Sequence, residues 1–165
     1  MLPVIERKHR LPRESYKGAI SVAFTLCLKN AGKLSGFIPR HKEMVDQFIE
    51  ILTAVSEETC CFVPAYCFMP DHQHLIVTGR ESGSDLWKMV TRYKQKTGYW
   101  LSKNGSLRWQ KDFYDHLLGR GEDLAAQVKY ILDNPVRKGL LESWEEYPFK
   151  GSVGCKLEDV LRGII

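Results

Sequence analysis

The sequence predicts an α+β fold, a ferredoxin-like sandwich with a central antiparallel sheet and helices packed on one face. Residues 20–28 alternate between apolar and small or polar side chains and 75–77 form a short apolar run, both strand signals, whereas 44–55 and 86–93 follow the three-four spacing of amphipathic helices. The elements run strand, helix, strand, strand, helix, strand, helix, which is the split β-α-β order. No internal repeat, low-complexity tract or linker divides the 165 residues, a length that suits one domain with a full core.

In chain order, 1–17 carries Pro3, Pro12 and several charges and reads as a basic arm. A domain over 18–152 and a C-terminal tail over 153–165 follow. Ile20, Val22, Phe24, Leu26 and Leu28 give the first strand one strongly apolar face, and the glycines at 32 and 36 mark a loop. Met44, Val45, Phe48, Ile51, Leu52 and Val55 then build a helix of about four turns. The second strand, 60–68, contains Pro64, which predicts a bulge and an edge or irregular position. A Met69-Pro70-Asp71 turn joins it to the third strand in a hairpin.

Ser84 is expected to cap a second helix from residue 85, with Gly98 and then Asn104-Gly105 marking its end. The aromatic stretch 107–118 reads as a fourth strand. A last helix spans about 122–134, and Pro135 ends or kinks it because the residue before a proline is pushed out of helical geometry. A shorter helical piece, 136–144, follows.

Composition narrows the classes. No apolar run approaches the roughly 20 residues of a membrane span, and the first ten residues lack the apolar core of a signal peptide, so the expected setting is the cytoplasm, without a membrane partner. The five cysteines are odd in number and lack Cys-x-x-Cys spacing, which argues against a disulfide framework or zinc ribbon. Twenty-four Lys and Arg against 20 Asp and Glu give a net charge of +4, a mild bias compatible with nucleic acid.

The chemistry centres on MPDHQHLIVT, residues 69–78. On a strand alternate side chains share a face, so His72 and His74 project together and Gln73 projects oppositely. Two adjacent imidazoles are half of a metal site. The polar Gln73 between them suggests an exposed back face. Asp71 can orient His72 or cap the turn. On the last helix Gln127, Tyr130 and Asn134 fall on one stripe beside the apolar one, either facing a common site or forming a half-buried flank.

The segments MPDHQHLIV, RWQKDFYDHLL, YILDNPVRKGL and WEEYPFKGS together resemble the REP-associated tyrosine transposases, relatives of the single-tyrosine HUH transposases, over roughly residues 18–152. The resemblance implies that His72 and His74 bind a divalent cation, Mg²⁺ or Mn²⁺, with Asn134 as third ligand and Tyr130 as nucleophile. It further implies a metal-dependent single-stranded DNA endonuclease and strand transferase, with a covalent 5′-phosphotyrosine intermediate and hairpin DNA as partner. The alternative is a catalytically silent hairpin-binding protein derived from a transposase. Either a monomer or a homodimer fits the family.

Gln127 and His116 join Asp71 as candidate supporting residues, although a structural role for His116 is favoured. Candidate DNA contacts are Arg7, Lys8 and Arg10 in the arm, Arg92, Lys94 and Lys96 on the second helix, Arg108 and Lys111 near the fourth strand, and Arg137 and Lys138 after Pro135. Trp109 can stack an unpaired base or pack in the core.

Overall fold

The alternation at 20–28 builds β1 (Ser21–Lys29), with Val22, Phe24, Leu26 and Leu28 buried and the intervening side chains half-buried. The computed structural model describes residues 11–29, 42–119 and 121–165. The three-four spacing builds α1 (Lys42–Glu58), which buries Met44, Val45, Phe48, Leu52 and Val55. Next come β2 (Cys61–Phe68) and β3 (His72–Gly79), paired antiparallel as the expected hairpin. Helix α2 (Leu86–Lys103) precedes β4 (Arg108–Trp109) and β5 (Tyr114–Leu117), and the chain continues through α3 (Leu124–Leu132), α4 (Asn134–Arg137), β6 (Lys150–Val153) and α5 (Leu157–Leu161).

The sheet order is β4-β1-β3-β2-β6, with β5 pairing β1 as well and every pairing antiparallel. This is the expected antiparallel sheet of an α+β sandwich. Its core centres on Phe48, fully buried, whose ring lies 5.8 to 6.4 Å from those of Phe68, Tyr93, Trp100 and Trp109. Aromatic contacts at such separations add to the roughly 1.5–3 kcal/mol that burying a large apolar side chain supplies.

The two long helices share one face of the sheet, where Tyr93 of α2 bonds Gln73 of β3. The short α3 and α4 lie across the other face, where Asn134 meets His74, and α5 packs on α3. Thus one face carries the expected helical layer and the other a smaller one.

Several boundaries differ from expectation, each for a tertiary reason. The predicted fourth strand divides into β4 and β5, which pair with opposite ends of β1. Lys94 Nζ donates to the carbonyls of Lys111 and Asp112 and holds the intervening segment out of the ladder. A register shift between Phe62 and Ala65 brackets Pro64, as a residue without an N–H requires. Yet β2 is not an edge, because β6 pairs along its other side.

Asp85, not Ser84, caps α2 by accepting from Lys88 N at 2.9 Å. Ser84 is buried instead, donating to Cys60 O and accepting from Arg80 N and Glu81 N, and so ties the turn before the helix. Helix α2 runs through Gly98 to Lys103, with Asn104 as its C-cap. Within the segment expected as a tail, α5 forms and Val160 is fully buried.

Candidate metal and nucleophile site

Strand β3 begins directly after the Asp71 turn, so its pleat sets His72 and His74 side by side with ring centroids 4.7 Å apart. Their Nε2 atoms lie 3.1 Å from each other. The outer nitrogens are engaged. His72 Nδ1 is 2.5 Å from Asp71 Oδ1, and His74 Nδ1 is 3.1 Å from Thr25 Oγ1 on the paired residue of β1. A carboxylate only accepts, so His72 Nδ1 donates to Asp71 and the ring turns Nε2 inward.

Asn134 supplies the third group. Its side-chain amide lies 2.5 Å from His74 Nε2, and either its NH₂ or, turned over, its oxygen occupies that position. Burial first, then the neighbouring His72 and Arg137, pushes the His74 imidazole down to about 3. His74 is therefore neutral near pH 7.

These donors fit a divalent cation. Nε2 atoms 3.1 Å apart fit either one shared proton or two lone pairs directed at a single cation. Two ligands on adjacent corners of an octahedron with bonds of about 2.1 Å stand about 3.0 Å apart. Among the described residues no three His, Cys, Asp or Glu side chains gather into a metal-holding group; the Asn134 amide, 2.5 Å from His74 Nε2, is a neutral group that could join the two imidazoles as a donor. With neutral donors the charge of a bound cation remains available to an anion.

The helical break at Pro135 sets the rest of the site. Proline has no N–H for the Ile131 carbonyl, so α3 stops at Leu132 and α4 restarts with Pro135 in its first turn. Val128, Ile131 and Leu132 are buried, which anchors α3 and leaves Tyr130 60% exposed. Arg137 returns over Tyr130, its guanidinium carbon 3.9 Å from the ring centroid and its Nη1 2.8 Å from the Tyr130 carbonyl oxygen. Gln127 is half-buried on α3 and forms no hydrogen bond to either histidine.

The other predicted residues separate into two groups. Arg137 and Lys138 lie near enough to influence His74 electrostatically. Arg92 and Lys96 instead pair with Glu58 at 3.2 and 3.5 Å, joining α2 to α1 in the opposite layer. Lys94 holds the loop before β5, and Arg108 Nη1 donates to the Gly105 and Leu107 carbonyls. Trp109 takes its core alternative, with Nε1 donating to Thr97 Oγ1 and its ring packed against Phe48.

Lys111 is exposed. His116 bonds Glu122 at 2.9 Å, holding that carboxyl below the usual range and clamping the turn before α3. Arg7, Lys8 and Arg10 lie outside the described residues. The bond from Thr25 to His74 was not anticipated. Its only sequence signal is a position on the less apolar face of β1.

The back face is not exposed. Gln73 is fully buried beneath α2, accepting from Tyr93 Oη at 2.7 Å. A polar residue there marks a buried hydrogen bond, not contact with water.

A histidine pair on β3 thus faces, through Asn134, the helical segment that carries Tyr130. The family described as "Transposase IS200 like" matches residues 37–134, more than half of the chain, so the chain belongs to the IS200-like transposase family.

Within that family its relatives are the REP-associated tyrosine transposases. One from Haemophilus influenzae, described as "Putative REP-associated tyrosine transposase", is 29% identical over 126 residues, covering 67% of this chain and 72% of that protein. The REP-associated tyrosine transposase of Escherichia coli K12 is 31% identical over 105 residues, covering 62% of this chain and 58% of that protein. A solved REP-associated tyrosine transposase bound to a REP hairpin shares the fold, with a TM-score of 0.71 and 23% identity over 96% of this chain and 87% of its own.

Proposed function

We propose that this chain is a metal-dependent single-stranded DNA endonuclease and strand transferase that forms a covalent 5′-phosphotyrosine at Tyr130 and acts near DNA hairpins. The observation that carries the reading is the convergence of His72 Nε2, His74 Nε2 and the Asn134 amide one helical turn from Tyr130. The hairpin-bound relative of the same fold supports the choice of partner.

A divalent cation, Mg²⁺ or Mn²⁺, held by His72, His74 and the Asn134 oxygen would polarise the non-bridging phosphate oxygens as a Lewis acid. Asp71 and Thr25 keep the two imidazoles in the orientation that turns Nε2 inward. Lys138, beside the site and exposed, offers its ammonium to the DNA backbone.

Tyr130 Oη attacks phosphorus and the P–O3′ bond breaks. The phenolic proton passes to solvent, and the departing 3′-oxygen is protonated to a free hydroxyl. The 5′ phosphate is left esterified to Tyr130. A second strand's 3′-hydroxyl can reverse the step, because the phosphoester energy is conserved in the protein–DNA link, and ATP is not needed.

The test is a labelled library of single-stranded hairpins incubated with Mn²⁺ and run on a denaturing gel. The expected result is a covalent protein–DNA band in the wild type, lost in Tyr130→Phe and in EDTA. Tight hairpin binding with no such band for any substrate would instead establish a catalytically silent hairpin-binding protein.

A further inference from the structure

Tyr130 is a large side chain left mostly in solvent on a short helix, where several staggered rotamers would ordinarily interchange. A nucleophile gains from the opposite condition, because attack requires one defined approach to phosphorus. Among the described residues one side chain stacks on this ring. Arg137, seven residues on and past the Pro135 break, lays its guanidinium 3.9 Å from the ring centroid while Nη1 donates to the Tyr130 carbonyl at 2.8 Å.

We infer that Arg137 is the positioning residue of the nucleophile, its guanidinium stacked on the Tyr130 ring and bonded to the Tyr130 backbone so that the exposed phenol keeps a single orientation at the reaction site. The inference deepens the strand-transfer reading and rests on it.

The two contacts require arginine in particular. A planar guanidinium can stack on an aromatic face while its edge N–H groups bond elsewhere, whereas an ammonium is a hydrated point charge that cannot do both. The break between α3 and α4 makes the contact possible. In an unbroken helix residues 130 and 137 would stand about 10 Å apart along the axis, whereas here the restart at Asn134 brings Arg137 back over the preceding turn. Asn134, in the same segment, reaches His74. One short stretch thus couples the third donor of the histidine site to the restraint on the nucleophile.

A simpler role for Arg137 is to satisfy a last-turn carbonyl of α3, and the experiment separates the two. Arg137→Lys and Arg137→Gln are compared with the wild type using hairpin DNA and Mn²⁺. With DNA saturating, the rate of covalent band formation is expected to fall about 10- to 100-fold in both variants. Hairpin affinity in Arg137→Lys, which keeps the charge, is expected to change by less than about threefold.

A second readout needs no activity. With 3-fluorotyrosine incorporated, the Tyr130 resonance, assigned by its loss in Tyr130→Phe, is expected to move to the solvent-exposed position in both Arg137 variants. A wild-type rate in Arg137→Lys would overturn the inference, since charge alone would then suffice. An unmoved fluorine resonance would also overturn it. If the wild type forms no adduct, the strand-transfer reading falls, and the fluorine resonance by itself decides whether Arg137 holds the ring.

Discussion

The buried pair behind the histidines provides a quantitative test of the packing. Tyr93 Oη donates to Gln73 Oε1 at 2.7 Å with both residues fully buried, and Gln73 Nε2 has no hydrogen-bond partner among the described residues. Burial pushes the Tyr93 phenol well above its usual range, so it remains a neutral donor. In Tyr93→Phe the bond is lost and Gln73 Oε1 is orphaned as well, a cost of about 1–3 kcal/mol. In Gln73→Leu the unpaired Nε2 disappears, but Tyr93 Oη becomes the orphan. These terms are of equal size and opposite sign, so stability should stay within about 1 kcal/mol of the wild type.

The double variant carries no buried polar group at this position. It should match the wild type or exceed it by up to about 2 kcal/mol, and it should exceed the sum of the single variants by about 2–4 kcal/mol. Urea unfolding followed by tryptophan fluorescence resolves this, since about 2 kcal/mol moves the midpoint by about 1 M at a slope near 2 kcal/mol/M. Additive single effects would refute the reasoning, as would a Gln73→Leu variant destabilised by more than about 3 kcal/mol. Because Gln73 faces away from the histidines, Mn²⁺ affinity should not change across the cycle.

Two further outcomes follow from named contacts. Asp71 orients His72 through a 2.5 Å bond to Nδ1, so Asp71→Ala should weaken Mn²⁺ binding about 10-fold or more by calorimetry while leaving the fold intact; unchanged affinity would show that the turn alone places the ring. Burial pushes the Cys67 thiol up to about 12, so at pH 8 only about one part in 10⁴ is thiolate. An aromatic disulfide reagent should then modify exposed Cys60 in the native protein and reach Cys67 only on unfolding. Prompt reaction of all five thiols would contradict the packing of β2.

Those elements whose signal is local were legible in the sequence. The alternation at 20–28 and the three-four pattern of α1 each report a face buried along their own length, so β1 and α1 appear close to where they were expected. Where a contact distant in sequence decides the matter, periodicity is silent. β4 has two residues and exists because β1 offers it an edge. Ser84 and Asp85 are both good caps, and the choice between them rests on Cys60, 24 residues before Ser84, accepting the serine hydroxyl. Gln73 looked like a surface residue because its partner, Tyr93, lies 20 residues on, on the helix that buries it.

The site follows the same logic. His72 and His74 are legible as a pair because a strand has a period of two, whereas helical spacing left Tyr130 and Asn134 open between a common site and a half-buried flank, and only the family resemblance implied their roles. The cations were legible only in part, Arg137 and Lys138 falling beside His74 and Arg92 and Lys96 falling elsewhere. A Lys or Arg on an amphipathic helix reads identically whether it faces DNA or a carboxylate from another element, and for Arg92 and Lys96 that carboxylate is Glu58 of α1. Ion pairs this exposed contribute little to stability, but they lie in the layer opposite the histidines and are already engaged there. The positive field at the site comes instead from Arg137 and Lys138, which depress His74 together with burial and His72. A cluster that sets a neutral His74 beside the charges of Arg137 and Lys138 suits an anion as much as a metal, the combination that the proposed attack of Tyr130 on a phosphodiester would use.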